Sequence, residues 1–319
     1  MATPSGYRTI TVARGLAYNV YYTPAAASGK STLLFLHGFP STSYEWRKQL
    51  PHFEALGYGV VAPDLLGAGG TAKPADVQAF RHAAMAQDII DVLDALGLAR
   101  VVGVAQDWGS VLLSQLAVRH QGRFSGFVWL GLGYLPAQPV LPLAEGQTPP
   151  GYWGLFTRPD AAELIEKNVD SFIQLVYPKD PSCWLTWFFQ DGKAAECVEK
   201  GILLGRAEWL SDEEYDALKA NFLSNGLKSP LMWYVSEVAG VNREDILNIP
   251  AEALRLNVPV LYVGASKDVI CLESATVEQM GKYAETLQTA SLPAGHWLQV
   301  EQADELNKIL GDWLAMTVL

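Results

Sequence analysis

The sequence contains few cysteines, fewer basic than acidic residues and no long hydrophobic run. The three cysteines, Cys183, Cys197 and Cys271, form an odd and widely scattered set among 319 residues, which suits neither a disulfide framework nor a metal-ligand spacing. Lysine and arginine total 23 against 34 aspartates and glutamates, and the net charge is −11. Such a charge offers no attraction to phosphate backbones or anionic lipids. We therefore expect no metal, no nucleic-acid partner and a reducing compartment.

Neither a membrane span nor a leader peptide is indicated. No segment reaches the roughly 18 consecutive apolar residues that a membrane span requires, and the N-terminus, MATPSGYRTI, lacks a basic leader and an apolar core. Half of the residues are hydrophobic, which is enough for a large core, and the length falls between one large α/β domain and two smaller ones. We expect the mature protein to be the whole chain, to be cytoplasmic, and to form one domain with an insertion.

Short β-rich runs alternate with polar or helical stretches in the first third of the chain. The segment MAQDIIDVLDALG, residues 85–97, repeats apolar side chains at helical spacing and closes with Gly97, a favourable helix end. The alternation returns near the C-terminus with VPVLYVG, TLQTASL and the helical ADELNKILGDWLAM. These patterns predict an α/β fold with a mostly parallel sheet and helices on both faces. The early β-rich runs are Arg8–Ala13, Leu16–Tyr22, Thr32–Leu36, Tyr58–Ala62 and Val101–Val104.

The middle of the chain has a different pattern. After a β-rich run at Phe127–Leu132, the segment GYLPAQPVLPLAEGQTPPGYW contains five prolines, which forbid regular backbone hydrogen bonding and mark a boundary. Beyond it, apolar residues recur at helical spacing from Leu164 to Val176, and Ser211 with Glu214 forms a capping-box signature. We therefore predict a helical cap domain, or lid, at residues 138–245, inserted into an α/β core that comprises residues 1–137 and 246–319.

The stretch VVGVAQDWGS, residues 101–110, places a carboxylate at a sharp strand-to-helix turn. A nucleophile elbow needs small residues around the reactive one because the backbone segments come close together, and Ala105 and Gly109 flank Asp107. The helix that follows points its N-terminal amides at the turn and favours an anion there. Asp107 is therefore either a nucleophile or only the N-cap of that helix, and this segment alone does not decide between the two.

Groups that would serve a nucleophile follow other predicted strands. The loop HGFP, residues 37–40, comes after one strand, and its Phe39 N–H together with that of Trp108 is predicted to form an oxyanion hole. Asp268 follows the strand VPVLYVG, at the sheet edge where ligands gather. His296 lies in the loop PAGHW after a further strand, where an imidazole can act as a base.

The order of these residues along the chain is nucleophile, acid, histidine, which is the order of α/β-hydrolases. It predicts a catalytic triad of Asp107, Asp268 and His296.

Three further histidines and one serine receive no catalytic role. His52, His82 and His120 are predicted to be solvated helix residues. Ser110 lies past the elbow glycine, inside the start of the helix, and is predicted to serve packing or capping.

Several motifs resemble those of the epoxide hydrolases of the α/β-hydrolase superfamily, especially the soluble forms of fungi. They are HGFPSTSYEWR, APDLLGAGGTAKP, AQDWGS, PLMWY, KDV and AGHW, and the similarity extends over most of the chain. The resemblance implies hydrolysis of an apolar epoxide to a vicinal diol through a covalent alkyl ester on the nucleophile. The implied reactants are the epoxide and water, with no cofactor, and the oligomeric state stays open.

The resemblance also implies two lid tyrosines that assist ring opening. Tyr234, in PLMWY, matches one of them, and Tyr152, in GYWGLFTRPD, matches the other, with Tyr177 as the alternative to Tyr152. Phenols, whose pKa lies near 10, suit the protonation of a departing alkoxide. The sequence departs from the family pattern at Gln106, where histidine is common, and at Val235, where arginine is frequent.

A carboxylate nucleophile selects the chemistry of the substrate. Attack by serine at a saturated carbon would leave an ether, whereas attack by aspartate leaves an ester that ordinary acyl chemistry can hydrolyse. The expected substrate is therefore an electrophilic sp³ carbon with a leaving group, carried on an apolar and possibly aryl-bearing molecule. The residues predicted to line its pocket are His37, Pro40, Trp153, Trp184, Trp187, Trp233 and Trp297.

Two other functions remain open at this point. QDWG equally fits haloalkane dehalogenases, in which Trp108 and one of the lid residues Trp153, Trp184 and Trp187 would donate N–H groups to the halide. However, one dehalogenase pattern has asparagine at the position of Phe39. The paired tyrosines favour epoxides over haloalkanes. The third hypothesis is a non-catalytic binding protein on the same fold, against which the complete triad argues. The glycines of LGAGGT follow no dinucleotide-binding pattern.

Overall fold

A computed structural model describes residues 6–136 and 149–317 of the chain. These residues divide into two compact units. The first, here called the sheet unit, comprises residues 6–72, 81–136 and 242–317, and the second, the helical unit, comprises residues 73–80 and 149–241.

The sheet unit contains one sheet of eight strands in the order β1-β2-β4-β3-β5-β6-β7-β8. Strands β1 and β2 pair antiparallel, as do β2 and β4, and every other neighbouring pair is parallel. The predicted α/β fold with a mostly parallel sheet is confirmed. The strands are β1 Tyr7–Thr11, β2 Ala17–Thr23, β3 Thr32–Leu36, β4 Gly59–Pro63, β5 Val101–Gln106, β6 Phe124–Leu130, β7 Val260–Ala265 and β8 Leu287–Leu292.

The central strands form a two-sided hydrophobic layer. Every residue of β3, β4, β5 and β7 is buried, as expected for parallel strands that are covered on both faces. The edge strands β1 and β8 contain both exposed and less exposed residues. Because strands β3, β5, β6, β7 and β8 run in the same direction, the loops after β3, β5, β7 and β8 all leave the sheet at one edge.

Helices pack around this sheet. Helix His82–Ala95 buries Met85, Ile89 and Leu93, and the chain leaves it through Gly97 at φ 70°, as the apolar spacing predicts. The helices of the sheet unit are Leu50–Ala55, His82–Ala95, Trp108–His120, Arg243–Leu247, Glu273–Met280, Leu298–Glu301 and Ala303–Thr317, with 3₁₀ turns at Ser43–Trp46, Gln121–Arg123 and Ala251–Leu254.

The prediction that His82 is a solvated helix residue is wrong. His82 is buried, its backbone N–H donates to Asn242 Oδ1 at 2.8 Å, and its ring centroid lies 6.2 Å from that of Trp108. His52 and His120, to which the same prediction applied, are half-buried. The hydrogen-bond partner Asn242 is 160 positions away in sequence, so the local pattern of the helix carries no sign of it.

The helical unit consists of short helices. The capping box of Ser211 and Glu214 is present at the start of Asp212–Asn225, as predicted. The apolar residues from Leu164 to Val176 lie on two helices and not on one, because the helix is interrupted at Asn168. The helices are Tyr152–Phe156, Ala161–Lys167, Val169–Val176, Trp184–Trp187, Lys193–Glu199, Asp212–Asn225 and Met232–Val238, with 3₁₀ turns at Val77–Phe80 and Pro181–Cys183.

The limits of the two units differ in detail from the predicted domains. The helical unit also contains residues 73–80, and residues 242–245 belong to the sheet unit. Most of the proline-rich boundary, residues 137–148, lies outside the described residues. In the described part of the chain, no helix is both long and apolar enough to cross a membrane.

Candidate active site

Asp107 stands at a tight turn between β5 and helix Trp108–His120. Its backbone has φ 50° and ψ −127°, and it is the one described residue other than glycine with a positive φ. Neighbouring groups come very close: a Cβ on Gly109 would lie 2.1 Å from the carbonyl oxygen of Leu36, and a Cβ on Gly38 would lie 2.3 Å from the side-chain oxygen Oδ1 of Asp107. Strain of this kind is typical of a nucleophile elbow, and it explains why small residues flank the carboxylate.

The carboxylate of Asp107 does not cap the helix that follows it. No side-chain capping hydrogen bond is formed at this position, which argues against the simpler N-cap interpretation. Instead, the backbone N–H of Phe39 donates to Asp107 Oδ1 at 2.9 Å. Phe39 was predicted as an oxyanion-hole donor, and its amide is directed at the carboxylate. Trp108, the other predicted donor, is the first residue of the helix.

Asp268 and His296 form a buried pair. His296 Nδ1 donates to Asp268 Oδ2 at 2.8 Å, and both side chains are almost completely inaccessible. Asp268 Oδ1 accepts from the backbone N–H groups of Ile270 and Cys271 at 2.8 and 3.3 Å. Burial alone would raise the pKa of Asp268, but His296 and these amides outweigh it, so the pKa lies below its ordinary value. Asp268 is thus held as a carboxylate that orients the imidazole.

His296 connects this pair to Asp107. Its Nε2 lies 3.6 Å from Asp107 Oδ2, so one imidazole faces a carboxylate on each side. Burial lowers the pKa of His296, but the charges of Asp268 and Asp107 more than offset it and raise that pKa well above its ordinary value. The three side chains lie in the order carboxylate, imidazole, carboxylate, each after a different strand of the sheet. Such an arrangement can activate a water molecule beside Asp107.

One group among the described residues has ligand atoms close enough to hold a metal ion. These residues are Asp268, Cys271 and His296, whose polar atoms lie within 4.8 Å of one another. The hydrogen bond between His296 and Asp268 already uses two of them. Burial raises the pKa of the Cys271 thiol to about 12, which keeps it protonated and a poor metal ligand. The chemistry of this donor set therefore fits an oriented histidine better than a metal centre.

Three predicted pocket residues of the sheet unit lie beside these groups. His37 fixes its loop, because its Nδ1 donates to the Gly38 carbonyl at 2.8 Å and its Nε2 accepts from the Leu65 N–H at 2.9 Å. Burial lowers the pKa of His37, so its ring is a neutral structural link. Pro40 follows a cis peptide bond, and Trp297 packs edge-on against the His296 ring at 5.0 Å.

Sequence reasoning missed a contact of Gln106. In the sequence, Gln106 stands out only because histidine is common at this position in epoxide hydrolases. In the structure it is fully buried at the end of β5, and its Nε2 lies 3.0 Å from His296 Nε2 and 3.1 Å from the His296 carbonyl oxygen. The signal available in the sequence was its position immediately before Asp107.

In the helical unit, the structure brings together the two tyrosines that the sequence singled out. The ring centroids of Tyr152 and Tyr234 lie 6.1 Å apart with nearly perpendicular planes. Tyr234 also contacts Trp153 and Phe156, at 4.8 and 4.9 Å between centroids. The alternative, Tyr177, packs instead against Trp209 at 5.8 Å. This geometry favours Tyr152 over Tyr177 as the partner of Tyr234.

The remaining predicted tryptophans of the helical unit take different positions. Trp184 is buried, donates its Nε1–H to the Leu175 carbonyl at 2.7 Å and stacks on Phe188 at 4.6 Å, which marks it as a packing residue. Trp187 lies 5.8 Å from the ammonium of Lys193. Trp233 packs on Phe80, also of the helical unit, at 6.3 Å.

Comparison with known proteins gives one matching family and several relatives. The pattern that defines the alpha/beta hydrolase fold family matches residues 31–303. Epoxide hydrolase 3 of Xenopus tropicalis is 30% identical over 298 residues, which cover 92% of this chain and 74% of that protein. A haloalkane dehalogenase of Mesorhizobium japonicum is also 30% identical, over 93% of this chain and 88% of that protein.

Other relatives are longer than this chain. Bifunctional epoxide hydrolase 2 of Mus musculus is 27% identical over 90% of the chain, which spans only about half, 52%, of that protein.

Among solved structures, epoxide hydrolase A from Mycobacterium thermoresistibile superposes with a TM-score of 0.82 at 24% identity, over 99% of this chain and 100% of that one.

Proposed function

Because the chain belongs to the alpha/beta hydrolase fold family, with epoxide hydrolases among its relatives, we propose that it hydrolyses an apolar epoxide to a vicinal diol through a covalent ester on Asp107. The observation that carries the proposal is the geometry around one carboxylate. Asp107 Oδ1 accepts from Phe39 N–H at 2.9 Å, and Oδ2 lies 3.6 Å from an imidazole that Asp268 orients at 2.8 Å.

In the first half-reaction, a carboxylate oxygen of Asp107 attacks one carbon of the epoxide ring. The carbon–oxygen bond of the ring breaks, its electron pair goes to the departing oxygen, and that oxygen takes a proton from a phenol. The product is an alkyl ester of Asp107 that carries a neighbouring hydroxyl group. An unassisted alkoxide is a poor leaving group, so a positioned proton donor lowers the barrier of this step.

In the second half-reaction, water hydrolyses the ester. His296 takes a proton from water at Nε2, and the resulting hydroxide attacks the ester carbonyl. The backbone N–H groups of Phe39 and Trp108 stabilise the negative oxygen of the tetrahedral intermediate. Its collapse releases the alcohol oxygen, which takes the proton from His296, and leaves Asp107 as a carboxylic acid. The proton of that acid returns to the phenolate formed in ring opening, so that the carboxylate and both phenols are restored. Asp268 holds the ring and stabilises its charged form.

We further propose that the helical unit acts as the cap and that Tyr152 and Tyr234 supply the phenols for ring opening. Their proximity within that unit, 6.1 Å between centroids, supports a shared task on one substrate oxygen. Phe156 and Phe188 pack around Tyr152 at 5.5 and 4.7 Å, which supplies an apolar surface suited to an apolar epoxide.

Replacement of the two phenols tests their shared role. Either Tyr152→Phe or Tyr234→Phe is expected to lower kcat for diol formation by roughly 10-fold, because the other phenol still donates, whereas the double variant is expected to lose about 10³-fold. Tyr177→Phe is the matched control and should behave as the unmodified protein. Steady-state kinetics on an aryl epoxide gives the comparison. A single variant as inactive as the double variant would contradict the sharing, and inactivation by Tyr177→Phe would reassign one of the phenols.

A second candidate function is dehalogenation, which the Mesorhizobium japonicum relative favours. It would use the same nucleophile, but it requires N–H donors for halide. The lid tryptophans considered for this task are Trp153, Trp184 and Trp187, and Trp184 already donates its N–H to the Leu175 carbonyl. The discriminating experiment assays diol formation from a panel of aryl epoxides and halide release from haloalkanes in parallel. We expect diol and no halide, while halide alone would favour dehalogenation and neither product would favour a binding protein.

A further inference from the structure

Gln106 contacts the proposed base at the atom that must accept the proton. This residue ends β5, is fully buried, and directs its side-chain nitrogen at two atoms of His296. Gln106 Nε2 lies 3.0 Å from His296 Nε2 and 3.1 Å from the His296 carbonyl oxygen. The proposed mechanism above assigns this amide no task.

These two distances define the hydrogen-bond pattern. A carbonyl oxygen can only accept, so the nitrogen of the amide, and not its oxygen, must face the His296 backbone. The second N–H of the same nitrogen then points at His296 Nε2, which has to accept with its lone pair. The other ring nitrogen, Nδ1, donates to Asp268 Oδ2 at 2.8 Å. All three contacts are satisfied by one state of the ring, neutral imidazole with its proton on Nδ1.

We propose that Gln106 is a positioning residue that keeps His296 as a neutral base, with Nε2 unprotonated, while the ester on Asp107 awaits hydrolysis. An imidazolium would direct its Nε2–H at the Gln106 N–H, where two donors face each other. The hydrogen bond from the Gln106 amide to Nε2 is therefore lost whenever Nε2 is protonated. Gln106 therefore opposes protonation of His296, and it favours return of the proton to the departing alcohol oxygen after the ester carbonyl has been attacked. The catalytic part of this inference rests on the proposed function, whereas the hydrogen-bond pattern does not.

Charged groups near His296 act in the opposite direction. The carboxylates of Asp107 and Asp268 favour the imidazolium, and Asp107 loses its charge when it becomes an ester. In the ester state, Asp268 is the one carboxylate of these two that still favours the imidazolium, and Gln106 opposes it. Among residues 6–136 and 149–317, further titratable groups that interact with the ring or its loop are Cys271, Glu45 and Glu301.

The test uses NMR on the full chain with ¹⁵N-labelled histidine and glutamine. Asp107→Asn reproduces the neutral ester state, because it removes the charge at 107 and keeps the side-chain shape. In this background the His296 Nε2 resonance is followed against pH with Gln106 present and in Gln106→Met, which has a similar length and no donor. We expect Gln106→Met to raise the titration midpoint of His296 by about one pH unit. Gln106→Glu, which places a carboxylate at the same site, should raise it further.

The control and a second measurement keep the test decisive. Gln49 is another fully buried glutamine, whose Nε2 donates to the Gln299 carbonyl at 2.9 Å, and Gln49→Met should leave the His296 midpoint unchanged. Independently of any substitution at 106, a scalar coupling through the hydrogen bond should connect Gln106 Nε2 with His296 Nε2. Equal midpoints with and without Gln106, an absent coupling, or a neutral ring protonated at Nε2 would each overturn the inference.

A kinetic measurement separates this inference from the proposed function. With Asp107 intact, the rate of single-turnover ester hydrolysis should fall at low pH, where His296 becomes protonated. In Gln106→Met this fall should occur at a pH about one unit higher than in the unmodified protein. If the NMR midpoint shifts but no epoxide yields diol, the inference about His296 holds and the proposed function fails. If diol forms normally and neither the midpoint nor the acid limb shifts, the proposed function holds and the role of Gln106 is refuted.

Discussion

Asp107→Asn is expected to lower diol formation by about 10⁴-fold or more, because an amide oxygen does not form the ester on which the proposed turnover depends. Asparagine preserves the size of the side chain and the acceptor for the Phe39 N–H, and it tolerates positive φ better than most residues. The loss should therefore reflect chemistry and not a collapse of the elbow. Diol formation is measured by chromatography, thermal unfolding reports the fold, and intact mass verifies that residue 107 remains asparagine.

Ser110→Ala is the matched control for the nucleophile. Ser110 is buried three residues along the same turn, and its backbone N–H donates to the Asp107 carbonyl at 2.8 Å. Its hydroxyl is the nearest alternative oxygen nucleophile in the sequence, yet the proposed mechanism gives it no part. The variant should keep nearly normal diol formation. Retained activity in Asp107→Asn together with loss in Ser110→Ala would move the nucleophile to the serine and refute the ester on Asp107.

His296→Gln is expected to stop the reaction after its first half. The carboxylate of Asp107 needs no base to attack the epoxide, so alkylation should proceed, whereas ester hydrolysis should slow by about 10²- to 10⁴-fold without its general base. Mass spectrometry should then show one equivalent of substrate bound to the peptide that contains residue 107. Rapid mixing should show a burst of epoxide consumption that equals the enzyme concentration, followed by almost no diol.

His120→Gln is the control for this experiment, because His120 is a half-buried residue at the end of helix Trp108–His120 and takes no part in the mechanism. It should consume epoxide and release diol continuously, without an adduct. If His296→Gln accumulated no adduct but still turned over slowly, water would be attacking the epoxide directly. If it consumed no epoxide at all, His296 would be needed in the first half-reaction, contrary to the role proposed here.

The fold and the placement of the site are largely predictable because buried parallel strands have a strong sequence signal. Runs such as TLLFL and VVGVAQ are mostly apolar and buried along their whole length, and a predicted site residue directly follows each of them. Parallel strands end at the same edge of the sheet, so the sequence alone predicts that Asp107, Asp268 and His296 approach one another. The structure gives the distances, 3.6 Å and 2.8 Å.

Contacts between distant segments are not predictable in this way. Gln106 meets the loop after β8, although β5 and β8 are separated by two other strands in the sheet. The backbone N–H of the buried His82 donates to Asn242, which comes from the far side of the insertion. In both cases the local pattern specifies the strand or helix correctly, but the contact depends on how the loops fold back, for which one sequence carries no periodic signal.

Aromatic residues show the same limit. Trp184 and Trp153 look equivalent as predicted pocket residues, yet Trp184 donates to Leu175 and stacks on Phe188, whereas Trp153 contacts the ring of Tyr234. Apolar spacing indicates that both are buried but not which partners each ring contacts. The sequence matches Tyr152 to the second lid tyrosine but keeps Tyr177 as the alternative, and the ring contact with Tyr234 favours Tyr152.

The central claim is that the oxygen added to the substrate comes first from Asp107 and not directly from water. A single turnover in ¹⁸O-labelled water, with enzyme in excess over epoxide, tests this claim most directly. We expect the diol of that first turnover to contain almost no label, and Asp107 to carry ¹⁸O afterwards, with label reaching the diol only in later turnovers. Full labelling of the diol in the first turnover, with unlabelled Asp107, would contradict the account.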